Sequence, residues 1–419
     1  MASKPIRIPN QFALSVFWFA WEVHWAALLG AAMQAQVARF IAPGAIGIAT
    51  AILSGAGAFF SIAAQFGAGR ASDAAGRRIP FIVVGTLLDV AALFGFALAP
   101  SFSTAVLAFV AVQIALNVAG GPYQALIPDK IPQGRQGGAS AVMALYRLAG
   151  NAVGLLLAKA LVVQPGPTVP ESTLTHGLVS LAIALSAVLL VALAITITGV
   201  PDARSASVSH AAVPEDWPQR ASFAWLIVSR SLVSMGLYLI VPYFAAFLRF
   251  ALHVQAYLQT NLMLLLAIVG FSLVGTLPAF FLADRVPKKT YMFVSLGLLA
   301  VGAVLLANAP SVERVGMLAA VLGIGWGGYY AVDWALACNL LPSGRAGALM
   351  AIWNIGASGP QVLSPLIGGV IADRIGAASG DLGAGYRVLF ELVAVYVGLG
   401  ALALSFVREP RGGKAAERS

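Results

Sequence analysis

At 419 residues, with 60% hydrophobic and only 10% charged side chains, the chain departs from soluble globular composition, where about a quarter of residues are charged. The net charge of +9 does not describe a nucleic-acid surface, because Lys and Arg fall mainly in alternate polar connections and are not interleaved with aromatics. The single cysteine, Cys338, rules out an internal disulfide and a Cys-rich metal site.

The apolar residues lie in runs of the length a membrane demands: about 20 residues of helix cross a hydrocarbon core of about 30 Å. Twelve spans are predicted, the first six at 12–38, 45–68, 79–99, 103–127, 139–163 and 177–199. The other six fall at 222–248, 258–283, 290–309, 313–341, 347–372 and 386–407. Met1 to Gln11, with Lys4 and Arg7, precedes a run too long and too polar at its middle for a signal peptide, so span 1 is read as uncleaved. The organisation that follows is an N-terminal six-helix bundle over 1–200, a polar linker over 201–221, a C-terminal bundle over 222–407 and a polar tail over 408–419.

The two halves repeat. Asp73-Ala74-Ala75-Gly76-Arg77-Arg78 returns 211 residues later as Asp284-Arg285-Val286-Pro287-Lys288-Lys289. Pro132-Gln133-Gly134-Arg135-Gln136-Gly137 returns 210 residues later as Pro342-Ser343-Gly344-Arg345-Ala346-Gly347. A duplicated membrane unit of this size is the mark of a secondary transporter built from two similar halves. The N-terminus, the even-to-odd connections and the C-terminus hold 17 of the 25 Lys and Arg, whereas the other six connections and the span ends beside them hold only Arg39, Arg249, Arg314, Arg374 and Arg387. That excess predicts cytoplasmic termini and a multi-pass protein of the plasma (inner) membrane.

The run Gly69-Arg70-Ala71-Ser72-Asp73-Ala74-Ala75-Gly76-Arg77-Arg78, between spans 2 and 3, resembles the signature loop of the major facilitator superfamily. It departs from the usual pattern at Ala74, where Arg commonly follows the Asp. Gly76 to Ile82 is similar to the loop of proton-coupled sucrose transporters. Asn117 to Asp129 (NVAGGPYQALIPD) resembles span 4 of that group and of the glycoside-pentoside-hexuronide symporters, and Gly150-Asn151 fits as well. In the second half, Trp353-Asn354-Ile355 and Pro360-Gln361 occur in similar bacterial relatives. The resemblance implies an all-α membrane protein, twelve transmembrane helices in two pseudo-symmetric six-helix bundles, with spans 1, 4, 7 and 10 lining a central cavity. It also implies a cytoplasmic charge latch made by Gly69, Asp73, Gly76, Arg77 and Arg78 with Asp129 and Asp284. A plain positive-inside anchor accounts for the arginines but not for the Gly and Asp spacing.

Ionisable side chains at membrane depth cost about 2.5–3.5 kcal/mol on insertion scales, so each asks for a partner or for water. In span 1, Trp18, Trp21, Glu22 and Trp25 form one helical stripe, and flat aromatics beside a carboxylate suit a sugar ring. Glu22 can also carry a coupled proton; packing of the tryptophans against lipid or a neighbouring helix is the competing reading. His24 lies at the flank of the stripe, where a structural role serves equally. Gln113, Asn117 and Gln124 share a face of span 4 with Gly120 and Gly121, placed for polyol recognition or for bonding a neighbouring helix. Arg147 and Asn151 share a face of span 5, and Arg147 must meet a carboxylate, a substrate or water. Asp333 of span 10 is its expected partner, flanked by Tyr329, Tyr330 and Trp334. Asp89 of span 3 is the competitor and reads as structural. Arg230 and Lys159 are expected to snorkel from their spans to the interface.

No phosphate loop, metal-spaced cluster or nucleophile constellation supports an enzyme, and no cofactor is called for. The expectation is an alternating-access transporter, functional as a monomer, whose halves rock around a midplane site. Its expected partners are the lipid bilayer, a sugar-like small molecule and the proton as coupling ion. A proton-antiporting exporter of drugs or amphipathic metabolites is the alternative, and a non-transporting sensor of transporter ancestry is a third.

Overall fold

The computed structural model describes residues 8–126, 136–200, 217–282, 286–341 and 346–409. Among them every regular element is helical, and twelve helices are long and apolar enough to cross a membrane. Span 1 is one rod in three pieces: Ile8–Ala27, a π-helical turn at Leu28–Ala32, and Met33–Phe40. A 3-10 turn at Pro43–Ala45 leads into span 2, Ile46–Ala75. Spans 3 to 6 are Ile79–Ala97, Phe102–Gln124, Gln136–Leu161 and Glu171–Gly199. Spans 7 to 9 are Arg220–Phe250, Tyr257–Leu282 and Lys288–Ala307. Spans 10 to 12 are Val312–Leu340, Ala346–Ser379 and Leu382–Ser405.

Local chemistry fixes the helix ends. Ser101 opens span 4 with a reciprocal capping box: its Oγ accepts from the Thr104 N–H at 3.3 Å, and Thr104 Oγ1 accepts from the Ser101 N–H at 3.0 Å. Span 2 ends at Gly76, whose φ of 66° lies in the left-handed region where a Cβ would clash with the backbone. Pro122, Pro242 and Pro278 interrupt the ladders of spans 4, 7 and 8, which a membrane helix tolerates when neighbours re-satisfy the freed carbonyls.

Two compact units result. The first holds residues 1–208 with 241–266 and 365–382; the second holds 209–240, 267–364 and 383–419. In the first unit span 1 packs on spans 5 and 6, span 2 on span 4, and span 3 on spans 4 and 6. Glycines set these close approaches. A Cβ on Gly85 of span 3 would sit 2.7 Å from the Ala115 carbonyl oxygen of span 4, so only a bare backbone fits there. In the second unit span 9 packs along span 10, where Gly325 faces the Ser295 carbonyl in the same way.

Candidate functional site

In the first unit the site starts from small residues. Gly150 and Gly154 of span 5 lie one turn apart and face span 1. A Cβ on Gly150 would come 3.1 Å from the Glu22 Cβ, and one on Gly154 would come 2.9 Å from the Ala26 Cβ. This contact brings Arg147, one turn earlier on span 5, to Glu22 of span 1: Arg147 Nε donates to Glu22 Oε1 at 2.6 Å. The guanidinium also stands 5.1 Å from the centroid of the Trp18 ring. The pair is only partly enclosed: the Glu22 side chain is 15% and the Arg147 side chain 48% exposed. The expected pairing of Arg147 with Asp333 is therefore corrected. The carboxylate that meets Arg147 is on span 1, because the two glycines press span 5 against that helix.

The aromatic stripe of span 1 is real but largely used in packing. Trp18 is buried, edge-on to Tyr123 of span 4 at 5.6 Å, and Tyr123 donates its hydroxyl to the Leu14 carbonyl at 2.5 Å. Trp21 lies over Gly120, where any side chain would collide with its ring. Trp21, Glu22 and Trp25 remain half-buried, with Trp25 edge-on to His24 at 4.8 Å. His24 is fully buried and its Nε2 lies 3.3 Å from Asp89 Oδ2 of span 3, itself fully buried. The two stand as a close buried pair away from the Glu22 carboxylate, without a hydrogen bond between them.

The amides of span 4 also turn inward. Asn117 donates Nδ2 to the Gln113 carbonyl of its own helix at 2.8 Å. The Gln113 side chain lies against Gly57 of span 2, where a Cβ would meet its Cγ at 2.6 Å. Asn151 is half-buried one turn beyond Arg147.

The second unit holds a chemically similar cluster from other helices. Arg230 of span 7 donates Nη1 to Asp333 Oδ2 of span 10, and both side chains are buried. The guanidinium carbon lies 3.4 Å from the Trp353 ring centroid of span 11. Trp334 stands edge-on to Trp353 at 5.2 Å while remaining 50% exposed, and Tyr330 is also exposed. The expectation that Arg230 snorkels is corrected. Span 7 begins at Arg220, so Arg230 is ten residues in, about 15 Å along the axis at 1.5 Å per residue. At that depth a guanidinium needs a counter-charge, and Asp333 supplies it. Arg230 and Trp353 are thus the site residues the sequence reading missed. The signal was present: a carboxylate and an arginine each deep in a span, in the same half of the chain.

In the loop between spans 2 and 3, Arg78 Nη1 lies 2.5 Å from Asp73 Oδ1 and donates to Ser72 Oγ at 2.6 Å. Ser72 Oγ donates in turn to the Gly69 carbonyl at 2.8 Å. Gly76 closes the turn, with its N–H on the Asp73 carbonyl at 3.1 Å, and Arg77 N–H reaches the Ser72 carbonyl at 3.3 Å. The cassette is thus a folded unit: a left-handed glycine turn that returns Arg78 onto the acid five residues before it. Asp129 and Asp284, the other expected latch members, lie outside the described residues. Among the described residues no group of three or more His, Cys, Asp or Glu stands together as a metal site would need.

Comparison with known proteins agrees with this architecture. Residues 226–419 match the family model described as Major Facilitator Superfamily. A search of curated proteins returned no sequence match. Among solved structures, a bacterial homologue of the human lysosomal transporter Spinster, inward-facing and occupied, superposes with a TM-score of 0.78 at 15% identity, covering 97% of each chain. A D-xylose–proton symporter gives 0.72 at 14% identity, covering 95% of this chain and 97% of its own. A variant of the nucleoside transporter NupG gives 0.72 at 12% identity, covering 96% and 100%. The fold is accordingly the twelve-helix major facilitator fold, an all-helical multi-pass membrane architecture.

Proposed function

We propose that the chain is a secondary active transporter of the major facilitator superfamily. It works by alternating access in the plasma membrane, with both termini cytoplasmic, and takes up a sugar or related polyol together with protons. The observation that carries this reading is the Glu22–Arg147 pair: a carboxylate at membrane depth, partly exposed, held by a guanidinium and flanked by Trp18, Trp21 and Trp25. A proton added to a Glu22 oxygen makes a neutral acid, and Arg147, which keeps its own charge, loses the attraction that held it. The guanidinium and the uncharged acid can then both turn to hydroxyls of a cargo. Departure of the proton on the other side restores the pair and resets the cycle. A D-xylose–proton symporter among the structures of similar fold supports this pairing of cargo and ion. In the same reading the Asp73–Arg78 turn is part of the cytoplasmic latch.

The test is reconstitution in vesicles with an imposed pH gradient, following proton entry while sugars are screened. Sugar-dependent proton entry is the expected result, and Glu22→Gln should abolish coupled accumulation while leaving sugar exchange intact. Unchanged accumulation in Glu22→Gln removes Glu22 as proton carrier. A second reading, proton-antiporting export of amphipathic compounds, is favoured by one observation. Gln113 and Asn117 are spent on helix packing, while Tyr330 and Trp334 stay exposed. Proton flux driven only by hydrophobic cations would select it.

A further inference from the structure

Span 2 begins without a cap of its own. Its N-cap position is Ala45, which has no side-chain acceptor, so the first N–H groups of the helix need one from elsewhere. Asp373 of span 11 provides it. Its Oδ1 accepts from the Gly47 N–H at 2.9 Å and its Oδ2 from the Ile48 N–H at 2.7 Å, with the side chain buried. The carboxylate therefore satisfies two helix donors at once and sits at the positive end of the span 2 dipole.

Everything around this cap is shaped for close contact. Gly47, Ala51 and Gly55 recur every fourth residue along span 2 and meet Gly369 and Leu366 of span 11. A Cβ on Gly47 would lie 2.5 Å from Asp373 Oδ1 and 2.7 Å from the Gly369 carbonyl oxygen; one on Gly55 would lie 2.9 Å from Leu366 Cγ. Tyr243 of span 7, fully buried, donates its hydroxyl to the Pro365 carbonyl at 2.6 Å. Asn261 of span 8 donates to the Gly30 carbonyl at 2.7 Å, in the π turn of span 1. Span 7 from Val241, span 8 to Leu266 and span 11 from Pro365 to its end at Ser379 accordingly belong to the unit formed by the first six spans, although their helices continue in the other unit.

We propose that Asp373 is a cap supplied in trans that works as a releasable latch. It clamps span 11 onto the start of span 2, and it must let go whenever the ends of spans 7, 8 and 11 leave spans 1 and 2. This rests on the transporter reading for its purpose but not for its test, which needs no cargo. A failed flux assay would count against transport, whereas the latch is read on purified protein alone.

The experiment uses the full chain in detergent with Cys338→Ala and a reporter, Thr50→Cys, at a buried position of span 2 three residues beyond Gly47. The rate of modification by a maleimide is measured with and without Asp373→Ala. Loss of both hydrogen bonds should raise the Thr50→Cys rate at least about tenfold, equivalent to about 1.4 kcal/mol on the opening equilibrium. Gly369→Leu, which wedges the same contact without touching the acid, should do likewise. A second reporter, Ser186→Cys, buried in span 6, distinguishes opening from general loosening and should stay slow. A Thr50→Cys rate unchanged within twofold by both variants, or an equal rise at Ser186→Cys, overturns the latch.

Discussion

The two arginine–carboxylate pairs are the same chemistry at different depths of burial, and that difference predicts opposite roles for them. In the second unit, Asp333→Asn removes one charge from a pair whose side chains are 9% and 1% exposed, leaving the Arg230 guanidinium buried without a counter-ion. Breaking a buried pair from one side costs about 3–5 kcal/mol. The Trp353 face at 3.4 Å is present before and after, so it does not offset the loss. Asn retains one carbonyl acceptor, which places the expected cost at the lower end, about 3 kcal/mol. The double variant Arg230→Met, Asp333→Leu removes both charges together and should recover wild-type stability to within about 1 kcal/mol, or exceed it. Glu22→Gln, at a pair whose arginine is half exposed, should cost no more than about 1 kcal/mol, because the guanidinium left behind is not sealed away as Arg230 is. Unfolding in mixed micelles with rising SDS, followed by tryptophan fluorescence, measures all three. If Asp333→Asn costs less than about 1 kcal/mol, or if the double variant is no better than the single one, the Arg230–Asp333 pair is not a buried structural clamp.

Two further outcomes follow from glycines that the backbone requires. Gly76→Ala, at a φ of 66°, should destabilise the loop between spans 2 and 3 by about 1–2 kcal/mol and be read as a lower unfolding midpoint. An unchanged midpoint would mean the turn relaxes without cost. Gly154→Leu should push span 5 off span 1, cost about 1–3 kcal/mol by overpacking, and reduce proton-coupled accumulation by parting Arg147 from Glu22. Gly270→Leu, at an exposed position of span 8 with open space around it, should leave both stability and flux unchanged.

The spans were legible because the bilayer leaves few choices: an apolar run of the right length has to be a helix satisfied within itself. Predicted and observed boundaries agree to a few residues for most spans. The larger departures have local causes. Span 11 was expected to stop at 372, yet it runs to Ser379, because the charge of Asp373 that reads as a loop signal is spent on the first N–H groups of span 2. Span 6 begins at Glu171 and not at 177, its first-turn acid held by Arg39 through Nε at 2.6 Å. The π turn at Leu28–Ala32 had no sequence signal. Its Gly30 carbonyl is met by an amide from span 8, more than two hundred residues away.

Partner choice among the buried charges was less legible, for a physical reason. A helical wheel gives the face on which a side chain lies but not the helix that face meets, and the second fact decides the chemistry. For Arg147 the missing information was written in Gly150 and Gly154, whose bare backbones mark the side of span 5 that touches another helix. Neither Glu22 nor Arg147 has a charged counterpart at the repeat distance, yet each unit contains an arginine, a carboxylate and a tryptophan under the guanidinium. In the first unit span 1 supplies the acid and the indole, and span 5 the arginine. In the second the acid comes from span 10, the arginine from span 7 and the indole from span 11. An arginine at membrane depth admits few stable surroundings, and both units contain the same one. The partly exposed pair is the one to which the proposed proton exchange is assigned, and the sealed pair is the one suited to hold helices together.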